Sequence, residues 1–166
     1  MKSSSNLFLV LFMVFATIAF CSSNVKAVGN EVSQGTAHDL ALSDMHIKVT
    51  SQGHTATFQL YDTVAAKEFF AQLPLELELE NFRNAQWMFY PPKKLGVTSR
   101  EAYHEGKKGE LSYYAPWGDA FMLYKDFYAG DEMHRLGIGI SGINDIAMMS
   151  GSAKIVKIAP RRERAK

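Results

Sequence analysis

Apolar and polar side chains alternate with a period of two in several short runs, and this alternation is what most limits the possible folds. The runs 46–50 and 55–61 both alternate, and Gln52-Gly53 between them supplies a turn. Successive side chains of a strand point to opposite faces, so two such runs across a short loop predict a β-hairpin. In the run 75–80, leucines alternate with glutamates. This run predicts a strand with a buried leucine face and an exposed glutamate face.

Further β-rich runs follow along the chain: Gln86–Tyr90, Gly109–Tyr114, Ala120–Tyr124, Arg135–Ser141 and Ser152–Ile158. Helix signals are fewer. Asp62 or Thr63 can cap a helix with apolar residues at helical spacing, which Pro74 would end. A shorter helical piece is expected over Ile143–Met149, and Pro91–Lys108 is expected to form a long loop.

Many short strands with one or two helices predict a mainly β fold. We expect a closed eight-stranded barrel over residues 45–159, capped by one or two short helices, because closure removes exposed strand edges. Side chains fill the interior of a barrel of this size. Any function is therefore expected on the outer face or in the loops.

The first residues carry the pattern of a secretory signal. Leu7–Phe20 is an uncharged run that follows Lys2, too short to span a bilayer comfortably, and Val25 and Ala27 suit a small-residue cleavage site. We predict a signal peptide over 1–27 and an exported protein, periplasmic or secreted, with an uncleaved anchor as the alternative. A lipoprotein with a lipid on Cys21 is a further alternative. Residues 28–44 are predicted to be a flexible leader and 160–166 a basic tail.

Composition and motif content exclude several function classes. The net charge is only +1, with 21% charged and 47% hydrophobic residues, so whole-chain electrostatics give no reason to expect a nucleic-acid or anionic-membrane partner. The five histidines form no H-x-H, H-x₃-H or H-E-x-x-H pair, and neither a nucleophile elbow nor a phosphate-binding glycine loop is present. No metal and no cofactor are expected.

The segment G-E-L-S-Y-Y-A-P-W-G-D-A-F-M-L-Y-K-D-F, from Gly109 to Phe127, resembles the signature of the small bacterial cyclophilin-like domain family. R-L-G-I-G-I-S-G over Arg135–Gly142 follows in the order that the family shows. The resemblance covers residues 45–159. It implies a cyclophilin-type eight-stranded barrel with two helices, in a family whose members are largely without an established activity.

A more distant likeness connects the chain to the cyclophilin prolyl isomerases. It implies that Phe121 matches the aromatic residue of their proline pocket. Where those enzymes carry an F-H-R strand and a Q-G-G-D segment, this chain reads Q-W-M-F-Y-P-P over Gln86–Pro92. The arginine that would stabilise a twisting amide is missing from that place, and the likeness does not place Arg83 there. Arg83 is the one catalytic candidate that the sequence offers. Because the likeness does not place it correctly, we expect no efficient prolyl isomerisation.

Aromatic residues are dense between Trp87 and Tyr128. Exposed aromatic rings in a concave site favour peptides and small ligands, although core packing is the commoner explanation for any single ring. The predicted ligand-binding residues are Phe89, Tyr114, Trp117 and Phe121. The sequence predicts a non-catalytic exported module that binds a peptide or small molecule. The alternatives are a weak peptidyl-prolyl isomerase and a structural accessory domain of an exported complex.

Overall fold

The computed structural model describes residues 40–160. Its elements in chain order are β1 (Leu42–Ser51), β2 (His54–Tyr61), α1 (Val64–Ala71), β3 (Leu75–Phe82), β4 (Gln86–Phe89), β5 (Ala102–Gly106), β6 (Glu110–Tyr114), β7 (Asp119–Leu123), β8 (Phe127–Ser141), a 3-10 helix (Asp145–Met148) and β9 (Gly151–Ile158). The predicted signal peptide with Cys21, most of the predicted leader and the tail beyond Pro160 lie outside the described residues.

Eight of these strands form a closed antiparallel barrel, as predicted. The strand order is β2-β1-β9-β3-β4-β7-β6-β8, and pairing of β2 with β8 closes the ring. Strand β5 is the one strand of the described part that lies outside this ring, and it pairs only with β8. His134 of β8 lies opposite both Ala102 of β5 and Tyr113 of β6. The extra strand therefore extends the sheet along the early half of β8, on the side away from β6.

The predicted hairpin at the start of the domain is present. Ile47 lies opposite Phe58 and Val49 opposite Ala56, so both apolar faces point into the barrel. Gln52 and Gly53 form the turn with φ of 50° and 81°, the left-handed conformation that a tight two-residue hairpin requires. Strand β1 begins at Leu42, three residues before the predicted start of the domain.

The predicted helix is also present and packs into the barrel core. Thr63 caps it, since its hydroxyl accepts a hydrogen bond from the Ala66 N–H at 3.2 Å. Phe69 is fully buried, with its ring centroid 6.1 Å from that of Phe89. The second predicted helical piece is the short 3-10 helix, and the carbonyl of Ile146 there accepts a hydrogen bond from the Trp87 indole at 2.9 Å.

Strand β3 shows the predicted alternation with shallower burial than expected. Leu79 is buried, whereas Leu75 and Leu77 are half-buried, and the glutamates between them are exposed. The segment predicted to be a loop, Pro91–Lys108, contains β5. Its sequence Ala-Tyr-His-Glu-Gly carries one large apolar side chain, which is too little alternation to indicate a strand.

The described residues contain two apolar clusters that lie on opposite faces of the same strands. On β7, Ala120 and Met122 belong to the cluster that fills the barrel. Phe121 and Leu123, the alternate residues, belong to a second cluster with Met133 of β8. Strand β7 is therefore buried on both faces, and the second cluster forms a small core on the outer face of the barrel.

Candidate functional site: a pocket on the outer face of the barrel

A cavity of about 180 Å³ opens above the second apolar cluster, and we call it the outer-face pocket. Its walls carry the rings of Phe82, Tyr114, Trp117 and Phe127. Its floor is formed by the buried side chains of Met88, Phe121 and Met133. The polar residues that line it are Arg83, Gln86, Asp119 and Asp131. Strands β3, β4, β6, β7 and β8 and the adjoining turns supply these residues.

A tight turn places the Trp117 ring in the wall of the pocket. The Gly118 N–H donates to the Tyr114 carbonyl at 2.9 Å, and Gly118 has a φ of +79° that favours glycine. Trp117 is 54% exposed, and its ring meets those of Tyr114 and Phe82 edge-on at 5.4 and 5.9 Å. Phe82 in turn meets Phe127 at 6.1 Å. These edge-on contacts fix the walls while leaving one side of the indole open to solvent.

Two buried acceptors in the pocket have no hydrogen-bond partner among the described residues. They are Oδ1 of Asp119, a residue 1% exposed, and Oε1 of Gln86, a residue 4% exposed. In the β4–β7 pairing, Gln86 lies opposite Leu123 and Met88 lies opposite Phe121. The apolar Met88–Phe121 pair therefore separates the two acceptors. A buried polar atom without a partner costs about 1–3 kcal/mol, so such atoms call for a functional explanation.

Asp119 is also electrostatically unusual. The pKa of its carboxyl is raised to about 6, because burial raises it most and the negative charge of Glu80 adds to this, while a hydrogen bond from the Asp119 backbone N–H lowers it. Asp131 lies at the same end of the pocket, where its carboxylate accepts a hydrogen bond from the Tyr114 hydroxyl at 2.8 Å. This end of the pocket therefore combines a buried carboxyl group with further acidic side chains.

Arg83 lies on the mouth of the pocket and is exposed. It occupies the turn between β3 and β4, in which Arg83 and Asn84 have φ of 53° and 52°. Its guanidinium carbon lies 5.2 Å from the centroid of the Phe82 ring, a cation–π arrangement that holds the cation beside the aromatic wall.

The structure brings together four of the five residues that the sequence singled out. Arg83, Tyr114, Trp117 and Phe121 all line the outer-face pocket, with Phe121 fully buried beneath it. The placement of Phe89 in this group is wrong. Phe89 is fully buried in the barrel interior, because it follows Met88 on β4 and adjacent strand residues face opposite sides.

The two buried acceptors were missed by the sequence analysis. A signal for them exists in the alternation, since Asp119 continues the row formed by Phe121 and Leu123, and Gln86 continues the row that includes Met88. In both rows a polar residue occupies a position where the alternation predicts an apolar one.

A second group of buried polar side chains lies on the same outer face, and we call it the polar cluster: Tyr103, Glu110, Ser112 and Arg135. Arg135 Nε lies 3.7 Å from Glu110 Oε1, and the guanidinium carbon lies 3.9 Å from the Tyr103 ring centroid. Tyr103 and Ser112 share a hydrogen bond between their hydroxyls. Burial raises the pKa of Glu110, while Arg135 opposes that rise. The cluster joins β5, β6 and β8 through internal partners.

Residues 40–160 contain no group of three or more His, Cys, Asp or Glu side chains that could hold a metal ion. They also contain no helix long and apolar enough to cross a membrane.

Comparisons with known proteins agree with the fold. A family model described as the cyclophilin-like family matches residues 49–158. The solution structure of a hypothetical protein from Archaeoglobus fulgidus superimposes with a TM-score of 0.51 at 10% sequence identity, covering 69% of this chain and 95% of that one. No curated protein matches the sequence significantly.

Proposed function

The chain belongs to the cyclophilin-like family, and from this premise we propose that it is an exported, non-catalytic module that binds a peptide or small ligand in the outer-face pocket. The observation that carries the proposal is the pair of buried, unpartnered acceptors on Asp119 and Gln86 inside an aromatic-walled cavity. Apolar walls with a few placed polar groups are typical of ligand sites. A bound ligand that donates hydrogen bonds would remove the cost of leaving these atoms unpaired.

Binding is favoured over catalysis by the position of the cations. Prolyl isomerisation would need a fixed donor aimed at the twisting amide. Arg135 is committed to the polar cluster through Glu110 and Tyr103. Arg83 is exposed and lies against Phe82 at the mouth of the pocket.

A weak peptidyl-prolyl isomerase is the second candidate, because Arg83 and Phe121 line the same cavity. An isomerisation assay on an Ala-Pro peptide separates the two functions. We expect a rate close to the uncatalysed one. A rate near that of ordinary cyclophilins, lost in Arg83→Ala, would favour the isomerase.

The proposal of export rests on the uncharged run Leu7–Phe20 and on the cleavage site at Val25 and Ala27. N-terminal sequencing of protein from the native host tests it, and we expect a mature chain that begins at Val28. A chain that begins at Met1 would contradict export by cleavage. A lipid on Cys21 would instead indicate an anchored lipoprotein.

Binding at the pocket is tested by NMR titration with a library of short peptides and fragments. We expect shift changes confined to Trp117, Tyr114 and their neighbours, and we expect them to vanish in Trp117→Ala. The other tryptophan, Trp87, has its indole bonded to Ile146 inside the fold and serves as an internal control in the same spectra. A library that leaves all pocket resonances unchanged would favour a structural accessory domain.

A further inference from the structure

We propose that the outer-face pocket selects an alkylammonium or guanidinium group carried on an apolar stem, as in a lysine or arginine side chain of a peptide. This inference rests on the proposed function and adds the chemical class of the ligand.

The end of the pocket at Asp119 is acidic. Asp119 is almost completely buried with an unpartnered oxygen, and Tyr114, which lies opposite Asp119 in the sheet, donates a hydrogen bond from its hydroxyl to Asp131. Glu80 is close enough to act on the Asp119 charge. Within the pocket lining, the two carboxyl groups of Asp119 and Asp131 face one cation, Arg83. A ligand cation with N–H donors would satisfy both the charge and the open acceptor, because charge-assisted hydrogen bonds are the strongest kind.

The aromatic rings at this end suit the same group. The Trp117 and Tyr114 rings lie 5.4 Å apart in an edge-on arrangement, and more than half of the Trp117 surface is free. The faces of such rings attract ammonium and guanidinium groups. A neutral donor such as an alcohol would satisfy the acceptor but gain nothing from the rings or the surrounding carboxylates.

The floor between the two acceptors accounts for the apolar stem. In the register of β4 and β7, Gln86 lies opposite Leu123, which is four positions from Asp119, or roughly 13 Å along the backbone. Met88 and Phe121 lie between them and present no polar group. A ligand that reaches both acceptors therefore needs an extended apolar section, which a free ammonium ion lacks and which the stem of a lysine side chain supplies together with the adjoining peptide backbone.

The end of the pocket at Gln86 suits a peptide backbone. Gln86 and Arg83 both line the pocket, and Arg83 lies in the turn that leads into β4 at Gln86. A carboxamide can accept from a backbone N–H or donate to a backbone carbonyl, and a guanidinium donates to carbonyls. The pocket thus offers backbone recognition at one end and cation recognition at the other.

Isothermal titration with two peptides tests the inference. Acetyl-Gly-Lys-Gly-amide carries the cation, and acetyl-Gly-norleucine-Gly-amide has a similar stem without it. We expect the lysine peptide to bind at least tenfold more tightly than the norleucine peptide. Asp119→Asn should lower the affinity for the lysine peptide at least tenfold and leave that for the norleucine peptide unchanged. Asp44→Asn, the same substitution at an exposed residue of β1 outside the pocket, should change neither.

Butylammonium alone identifies the source of the cation. Much weaker binding than that of the lysine peptide supports a peptide ligand, whereas equal binding would overturn the peptide and leave a small amine as the ligand. Equal affinity for the lysine and norleucine peptides, with both shifting Trp117 in NMR spectra, would overturn cation selection while the proposed binding function stands. If neither peptide nor the amine shifts Trp117 but other library members do, cation selection is likewise overturned. If nothing shifts Trp117, both proposals fail.

Discussion

The outer face of the barrel contains two groups of buried polar side chains that differ in how their polar atoms are paired within the fold. In the polar cluster, Arg135 has Glu110 and the Tyr103 ring as partners, and the Tyr103 hydroxyl has Ser112. In the outer-face pocket, Asp119 and Gln86 are buried to a similar degree but keep unpartnered acceptors. Each member of the first group has an internal partner, whereas the two acceptors of the second group have none among the described residues. Internal pairing, and not burial, is therefore what distinguishes the two groups.

The comparison predicts opposite effects of neutralising a charge in the two groups. Arg135→Met leaves Glu110 buried without its cation, and breaking a buried ion pair costs about 3–5 kcal/mol. We expect a loss of that size in the free energy of unfolding, measured by urea denaturation. The double variant Glu110→Gln with Arg135→Met should recover part of it. A loss below about 1 kcal/mol would show that the cluster does not hold β5, β6 and β8 together.

Phe89→Ala tests the division between the barrel interior and the outer face. Phe89 is fully buried against Phe69, and truncating a buried phenylalanine costs about 3–5 kcal/mol. We expect this loss in urea denaturation, with ligand affinity at the pocket unchanged for the folded fraction. If ligand affinity fell with little loss of stability, Phe89 would instead belong to the binding site.

Asp119→Asn should stabilise the free protein, in contrast to Arg135→Met. The folded pKa of about 6 lies above the unfolded value of 3.8, so the wild-type protein loses stability as pH rises from 3.8 to 6. This difference corresponds to about 3 kcal/mol. We therefore expect up to that gain for the variant at pH 8 and almost none at pH 3, where both states are protonated. Thermal denaturation across this pH range measures it. A variant that is destabilised at pH 8 would assign Asp119 to the structural group.

Trp117→Ala should have the smallest effect on stability and a large one on binding. The ring is more than half exposed and makes edge-on contacts worth about 1 kcal/mol. We expect a change of about that size in unfolding free energy together with loss of ligand-induced NMR shifts at Tyr114. Unaltered binding would exclude the aromatic wall from the site.

The barrel could be predicted from the sequence because alternating apolar and polar residues show which face of each strand is buried. The hairpin 46–61 and the strand at Leu75 each pair apolar with polar residues, so both strand type and orientation can be read. Strand β5 was missed because Tyr103 is its one large apolar residue, and its pairing with β8 follows from tertiary contacts.

The site was less predictable for a physical reason that Phe89 illustrates. Trp87 to Tyr90 are all apolar, so the run holds no alternation to show which residues face the interior. The run 119–124 is similarly ambiguous after Asp119. Trp117 could be assigned because a tryptophan between proline and glycine in a turn remains exposed whichever way the adjacent strands face.

The most direct test of the account is the pKa of Asp119 measured by carboxyl ¹³C NMR, first in the free protein and then in the presence of saturating acetyl-Gly-Lys-Gly-amide. We expect a pKa of about 6 in the free protein, where burial outweighs the hydrogen bond from the residue's own backbone N–H. Bound ammonium should favour the carboxylate and lower this pKa by one unit or more. A pKa near 3.8 in the free protein, the ordinary value for aspartate, would contradict the claim that this buried carboxyl group binds a ligand cation. A pKa that the bound peptide leaves unchanged would contradict it as well.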